Sequence, residues 1–183
     1  MDPFEDCIKK GRLKAMEPNA ERVAKELDTA KDELERARAC YIGGNWDETA
    51  TQAYFAMFRC ARAAINSRGY RDTNLYALCV ALQKLYLDND ELDGGTVKHL
   101  REAKDIKDAV YGGHRAPEHS ARNLLQWAQS LAKAMFERLS LPGFDASEID
   151  LALPEPPDPG RPRSDQPPRN SYRSDDWRPP RRY

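Results

Sequence analysis

Apolar residues recur at alternating steps of three and four from about residue 19 to residue 140, which is the spacing of one face of an α-helix. Val23, Leu27, Ala30, Leu34, Ala37 and Tyr41 form the first stripe, and Gly43-Gly44 stop it. Asn45 then offers an N-cap, with Glu48 three residues on as in a capping box. A second helix follows to about Arg68, carrying Trp46, Ala50, Tyr54, Met57, Phe58 and Ile65 and closing at Gly69. The short Gly-Gly-Asn connection makes these two helices an antiparallel hairpin. A third helix is expected over Asn74–Leu87, with Leu75, Leu78, Cys79, Leu82 and Leu85 inward. The fourth begins with Thr96 as its cap, turns Val97, Leu100, Ala103, Ile106 and Val110 inward, and ends at Gly112-Gly113. The fifth starts at Pro117, carries Ala121, Leu124, Leu125, Ala128 and Leu131, and is broken by Pro142-Gly143.

A short helix is also expected within residues 3–16, interrupted by Gly11. No stretch alternates with period two, so no strand is expected. The fold class is all-α, an up-and-down bundle of four to five helices. Residues 1–18 read as a short N-terminal helical segment, 19–141 as the bundle, and 142–183 as a linker and tail. Residues 154–183 hold nine of the 13 prolines and few bulky groups, the composition of a disordered, partly polyproline II segment.

Charge sharpens this division. The whole chain carries 29 Lys+Arg against 30 Asp+Glu. Residues 161–183 hold seven arginines and three aspartates, a net +4, which leaves the preceding 160 residues at −5. A mildly acidic body thus carries a basic tail, and bulk charge alone does not mark a nucleic-acid binder. No apolar run approaches the roughly 20 residues of a membrane span, and the N-terminus lacks a signal-peptide layout. Of the four cysteines, Cys40, Cys60 and Cys79 fall on predicted apolar faces, and none is spaced for zinc. The expectation is a reduced, cytoplasmic chain with no membrane partner, no metal and no cofactor.

Familiar catalytic signatures are absent: no phosphate-binding Gly-rich loop, no His-Glu-x-x-His and no nucleophile elbow. The most polar helix is the fourth. Its Lys98, Arg101, Lys104, Asp105 and Asp108 form either a solvated ion-pair surface or a site for phosphate or a partner, with Arg101, Asp105 and Asp108 on one face. Arg101 and Asp108 are expected to pair or to read a nucleobase edge. His114, Arg115 and His119 flank the start of the fifth helix, where free N–H groups attract anions. Simple solvation of these histidines is the alternative.

Glu33–Ala39, Gly43–Trp46, Ala53–Ala64 and Ser67–Arg71 together resemble the HEPN domain, a long helical hairpin joined to further helices. Leu100-Arg101-Glu102 and Asp108–Gly113 are similar to its later helix, so the resemblance covers about residues 20–140. Many HEPN proteins are metal-independent ribonucleases that use Arg-x(4–6)-His at a dimer interface. There a histidine moves a proton and an arginine steadies the phosphorane charge. In this chain the positions five to seven beyond Arg101 are Ile106, Lys107 and Asp108, and none of the three histidines has an arginine at that spacing.

The resemblance therefore implies a non-catalytic HEPN-type module. It would bind a nucleotide, RNA or a partner protein through Lys98, Arg101, Lys104, Asp105, Asp108, Tyr111, His114 and Arg115. It further implies a homodimer, and a setting in a toxin–antitoxin or defence system with a nucleotidyltransferase or another defence protein as partner. One alternative is a ribonuclease toxin with a displaced site drawing on Arg101, Tyr111 and His114. The other is an adaptor acting through its tail, where Arg169, Trp177, Arg178, Arg181 and Arg182 would make the contacts.

Overall fold

The computed structural model describes residues 2–158. The tail positions Arg169, Trp177, Arg178, Arg181 and Arg182 lie outside the described residues, as does the expected disorder of that segment. The described chain is an all-α bundle with one small sheet. Helix α1 (Pro3–Lys9) opens on Asp2, whose side chain accepts the Phe4 N–H. Gly11, at φ +66°, turns the chain out of the helix. Strand β1 (Leu13–Ala15) follows, where a continued helix was expected. It pairs antiparallel with β2 (Tyr70–Asp72), Leu13 opposite Asp72 and Ala15 opposite Tyr70. Three-residue strands are too short to show an alternation, which is why periodicity excluded them.

Helices α2 (Ala20–Ile42) and α3 (Trp46–Ser67) make the hairpin. Asn19 and Asn45 cap them by accepting the Arg22 and Glu48 N–H groups. The Glu48 carboxylate accepts from Gln52 Nε2 at 2.7 Å rather than closing a capping box. Helix α4 (Leu75–Leu82) is capped by Asn74 and runs on as a π turn to Leu87. Helix α5 (Thr96–Tyr111) has Gly95, not Thr96, at its cap position. Helix α6 (Glu118–Leu139) has Pro117 at its cap position, one residue earlier than the expected first turn.

α3 is the central rod, buried along most of its circumference by α2, α5 and α6. Val23, Leu27 and Leu34 of α2, Met57 and Ile65 of α3, Leu100 of α5 and Leu124 and Leu125 of α6 are all buried in the core. Each such side chain contributes roughly 1.5–3 kcal/mol. The cysteines are free; Cys7, Cys60 and Cys79 are buried, while Cys40 is only partly so, against the expectation.

The packed unit extends beyond the expected linker boundary at 142. Phe144 meets Phe136 edge-on at 5.3 Å, and Ile149 is buried. Arg38 donates to the carbonyls of Asp150 and Ala152 at 3.3 and 3.0 Å, and buried Gln129 donates to the same two. This strap runs along α2 to Pro157, which closes over Gly44 at the hairpin tip; a Cβ there would stand 3.0 Å from the proline ring. No helix among the described residues is long and apolar enough to cross a membrane.

Candidate functional site

α5 lies on α3 and α6 through Val97, Leu100 and Ala103. Lys107, seven residues beyond Leu100, occupies a position in that inward stripe. Its stem is consequently covered, leaving the side chain 14% exposed, and its ammonium reaches out between two rings. Lys107 Nζ lies 5.2 Å from the centroid of Tyr54 and 4.9 Å from that of Tyr111. Both are cation–π distances. Tyr54 is buried, whereas Tyr111, on the last turn of α5, is 65% exposed. Burial, reinforced by the charge of Asp108, pushes the Tyr54 phenol up to about 12.

Asp108 is oversubscribed. It pairs with Lys104 one turn back and with Lys107 at 2.5 Å. Partial burial pushes its carboxyl up, but hydrogen bonds from the two lysines outweigh this and hold it below the ordinary range. The expected Arg101–Asp108 pair therefore does not form. Arg101 lies beside the buried Cys79 thiol, which burial raises and Arg101 partly lowers. Arg101 has no carboxylate at ion-pair distance among the described residues. This side of α5 carries Arg101, Lys104 and Lys107 with Asp105 and Asp108, and of its two carboxylates Asp108 is the one that takes both lysines.

Arg101, Lys104, Asp108 and Tyr111 thus share one flank above Tyr54, as helical spacing places them. Lys98 and Asp105 are exposed on α5, and Asp105, four residues beyond Arg101, lies on the side that Arg101 and Asp108 share. His114 lies past the helix end, its Nδ1 3.3 Å from the Ala109 carbonyl, with Gly113 at φ +92° turning the chain away. Arg115 pairs with Asp47 at 3.0 Å, and the same carboxylate accepts the Ala116 N–H at 2.7 Å. Arg115 thereby fastens the α5–α6 loop to the first turn of α3. His119 is exposed on the first turn of α6. His99 stacks on Trp127 at 4.0 Å, 7° from parallel, and so belongs to the α5–α6 seam.

Sequence reasoning passed over the floor and the far wall of this face. Tyr54 stacks with Phe58 at 5.9 Å, and Arg62 covers Phe58 at 4.5 Å while gripping buried Asp72 through two bonds of 3.0 and 3.1 Å. On the α2 side, Arg59 pairs with Glu26 at 3.2 Å and stands 3.9 Å from Glu33. The Glu33 side chain is only 12% exposed, and its Oε2 has no hydrogen-bond partner. Burial raises its carboxyl to about 7, against the opposing pull of Arg59 and Arg36. The signal that could have found both walls is a charged residue in an apolar register: Lys107 seven beyond Leu100, and Glu26 and Glu33 spaced seven apart.

No family model matches this chain, and neither a curated protein nor a solved structure does. Among the described residues, no group of His, Cys, Asp and Glu is arranged to hold a metal ion. The α5 flank can receive a planar ring on Tyr111 and a phosphate on Arg101 and Lys104.

Proposed function

We propose that the chain is a non-catalytic HEPN-type module that binds RNA or a nucleotide through the Arg101–Lys104–Tyr111 flank of α5. The observation that carries this reading is the exposed Tyr111 ring held over the Lys107 ammonium, on the same helix as the Arg101 guanidinium, which touches the Cys79 thiol and has no carboxylate at ion-pair distance among the described residues. A base needs a flat π surface and a phosphate needs an unspent cation, and this flank offers both. Asp108 is neutralised by Lys104 and Lys107, so it does not repel the phosphate as a bare carboxylate would. No imidazole shares the flank, and the long hairpin joined to later helices is the frame that the resemblance implies.

The test is fluorescence anisotropy of a labelled oligoribonucleotide, with thermal stabilisation by mononucleotides alongside. Arg101→Ala and Tyr111→Ala should each weaken binding by about tenfold, the worth of one stacked base or charged contact. The bound RNA should remain intact in EDTA. Binding that ignores both substitutions sinks the assignment, and cleavage lost in His114→Ala would favour the displaced-site ribonuclease.

A further inference from the structure

The solvent face of the β1–β2 ribbon carries charge of one sign. In the antiparallel register Lys14 lies directly opposite Arg71, so the two cations stand side by side. The Arg12 carbonyl accepts the Thr73 N–H at 3.0 Å, which continues the ladder by one pair and puts Arg12, two residues before Lys14, on the same face. Arg12, Lys14 and Arg71 are exposed, whereas Leu13 and Asp72, on the opposite face, are buried. None of the three cations has a carboxylate at ion-pair distance among the described residues. The carboxylates nearby are already taken: Asp72 holds Arg62 through two bonds, and Asp6 holds Lys10. Arg22 extends the row, its Nη1 3.3 Å from the sulfur of Met16 at the ribbon's end.

Like charges set opposite each other across a ladder cost stability, and nothing within the described fold offsets that cost here. Residues 9–14 hold four cations and no carboxylate, in a body whose net charge is negative. Between Arg12 and Arg71 the face offers no large apolar side chain. Such a surface suits a sugar–phosphate backbone better than a protein partner, whose interface core is apolar. The ribbon also lies at one end of the α5 flank. Arg101 stands ten residues before Tyr111, about 15 Å back along the helix at 1.5 Å per residue. There it touches the Cys79 thiol, which also feels the charge of Asp72, the last residue of β2.

We infer that the outer face of the β1–β2 ribbon holds the phosphates of a single-stranded RNA through Arg12, Lys14 and Arg71. The inference takes its ligand class from the reading of the α5 flank and rests on it to that extent, but it names an extended strand in place of a mononucleotide and uses none of the same residues.

Anisotropy of labelled oligoribonucleotides of about five and about fifteen nucleotides, bound to the whole chain, tests this. Arg71→Glu should weaken binding of the longer strand by about tenfold and of the shorter by less than about twofold, equally for any base sequence. Its melting temperature should stay level or rise, because a like-charged pair becomes an opposite one. Lys14→Gln combined with Arg71→Gln, which removes both cations without adding a carboxylate, should lower the salt slope of log K by about 1.4 for the longer strand. Arg122→Glu, an equal change of charge on exposed α6, should leave affinity within about twofold. Ribbon variants that bind the longer strand like the parent overturn the inference, as does an equal loss in Arg122→Glu. Binding lost in the ribbon variants but untouched by Arg101→Ala and Tyr111→Ala keeps the ribbon as an RNA surface and sinks the α5 reading instead. Sedimentation with anionic phospholipid vesicles that the ribbon variants abolish, with RNA binding unchanged, assigns the face to a membrane surface and overturns the RNA assignment.

Discussion

The two walls beside α3 are inverses of each other. On α5 a single carboxylate, Asp108, serves two lysines, and Arg101 has no carboxylate partner on that flank. On α2 a single guanidinium, Arg59, serves two carboxylates, and one oxygen of Glu33 is left over. Neither surplus follows from composition, since the chain's charges nearly cancel. Ion pairing inside each wall consumes most of the charge, and the remainder decides what each wall attracts. Surface pairs are worth little to stability, so the surplus matters more for recognition than for folding.

The largest effect should come from the core that holds both walls in place. Leu27→Ala under α2 and Leu100→Ala under α5 should each cost about 2–5 kcal/mol, since both side chains are fully buried. Denaturant unfolding measures this, and equal losses would show that the walls share one cooperative core. A loss under about 1 kcal/mol at either site would place that helix outside it.

Next comes Glu33. Its carboxyl is raised to about 7 in the folded chain, above its ordinary value, so the folded state holds the extra proton. Its contribution to stability is fully present below about pH 4.5 and is lost as pH rises through about 7. Glu33→Gln should therefore be more stable than the parent above pH 7, by on the order of 1–3 kcal/mol, with the difference fading near pH 4.5. Melts across pH 4–8 check this. A flat difference across the range would mean that Glu33 titrates normally.

Asp108→Asn tests the opposite wall. It releases Lys104 and Lys107, so RNA affinity should rise by roughly three- to tenfold, with a steeper dependence of log K on log salt. Weaker binding would show that Asp108 itself contacts the ligand. The smallest effect belongs to Arg115→Ala. That pair is solvent-exposed, so stability should fall by less than about 1 kcal/mol, with RNA affinity unchanged if the loop stands outside the site.

Much of this architecture was legible in the sequence, because long amphipathic helices advertise themselves. The stripe from Val23 to Tyr41, the Gly43-Gly44 stop and the Asn45 cap need only local rules. The β1–β2 pair was not legible, since three-residue strands joined across more than fifty residues leave no periodic trace. The α5 flank was half legible. Spacing put Arg101, Asp105 and Asp108 on one side of α5, but gave no sign that Lys107 stands between Tyr54 and Tyr111. Spacing likewise paired Arg101 with Asp108, where the nearer lysines prevail. Glu33 and Arg59 drew no notice as a pair, because their encounter depends on how two helices are staggered across the hairpin.

The strap over α2 carries one more lesson. Arg38 and Gln129 grip it chiefly by main-chain carbonyls, which every amino acid supplies. The side chain at 152 is therefore free to change, whereas Asp150 adds its own carboxylate to Arg38 and to the Ala152 N–H. A distance ruler placed at Pro157 is consequently anchored to a known point on the scaffold, the hairpin tip at Gly44.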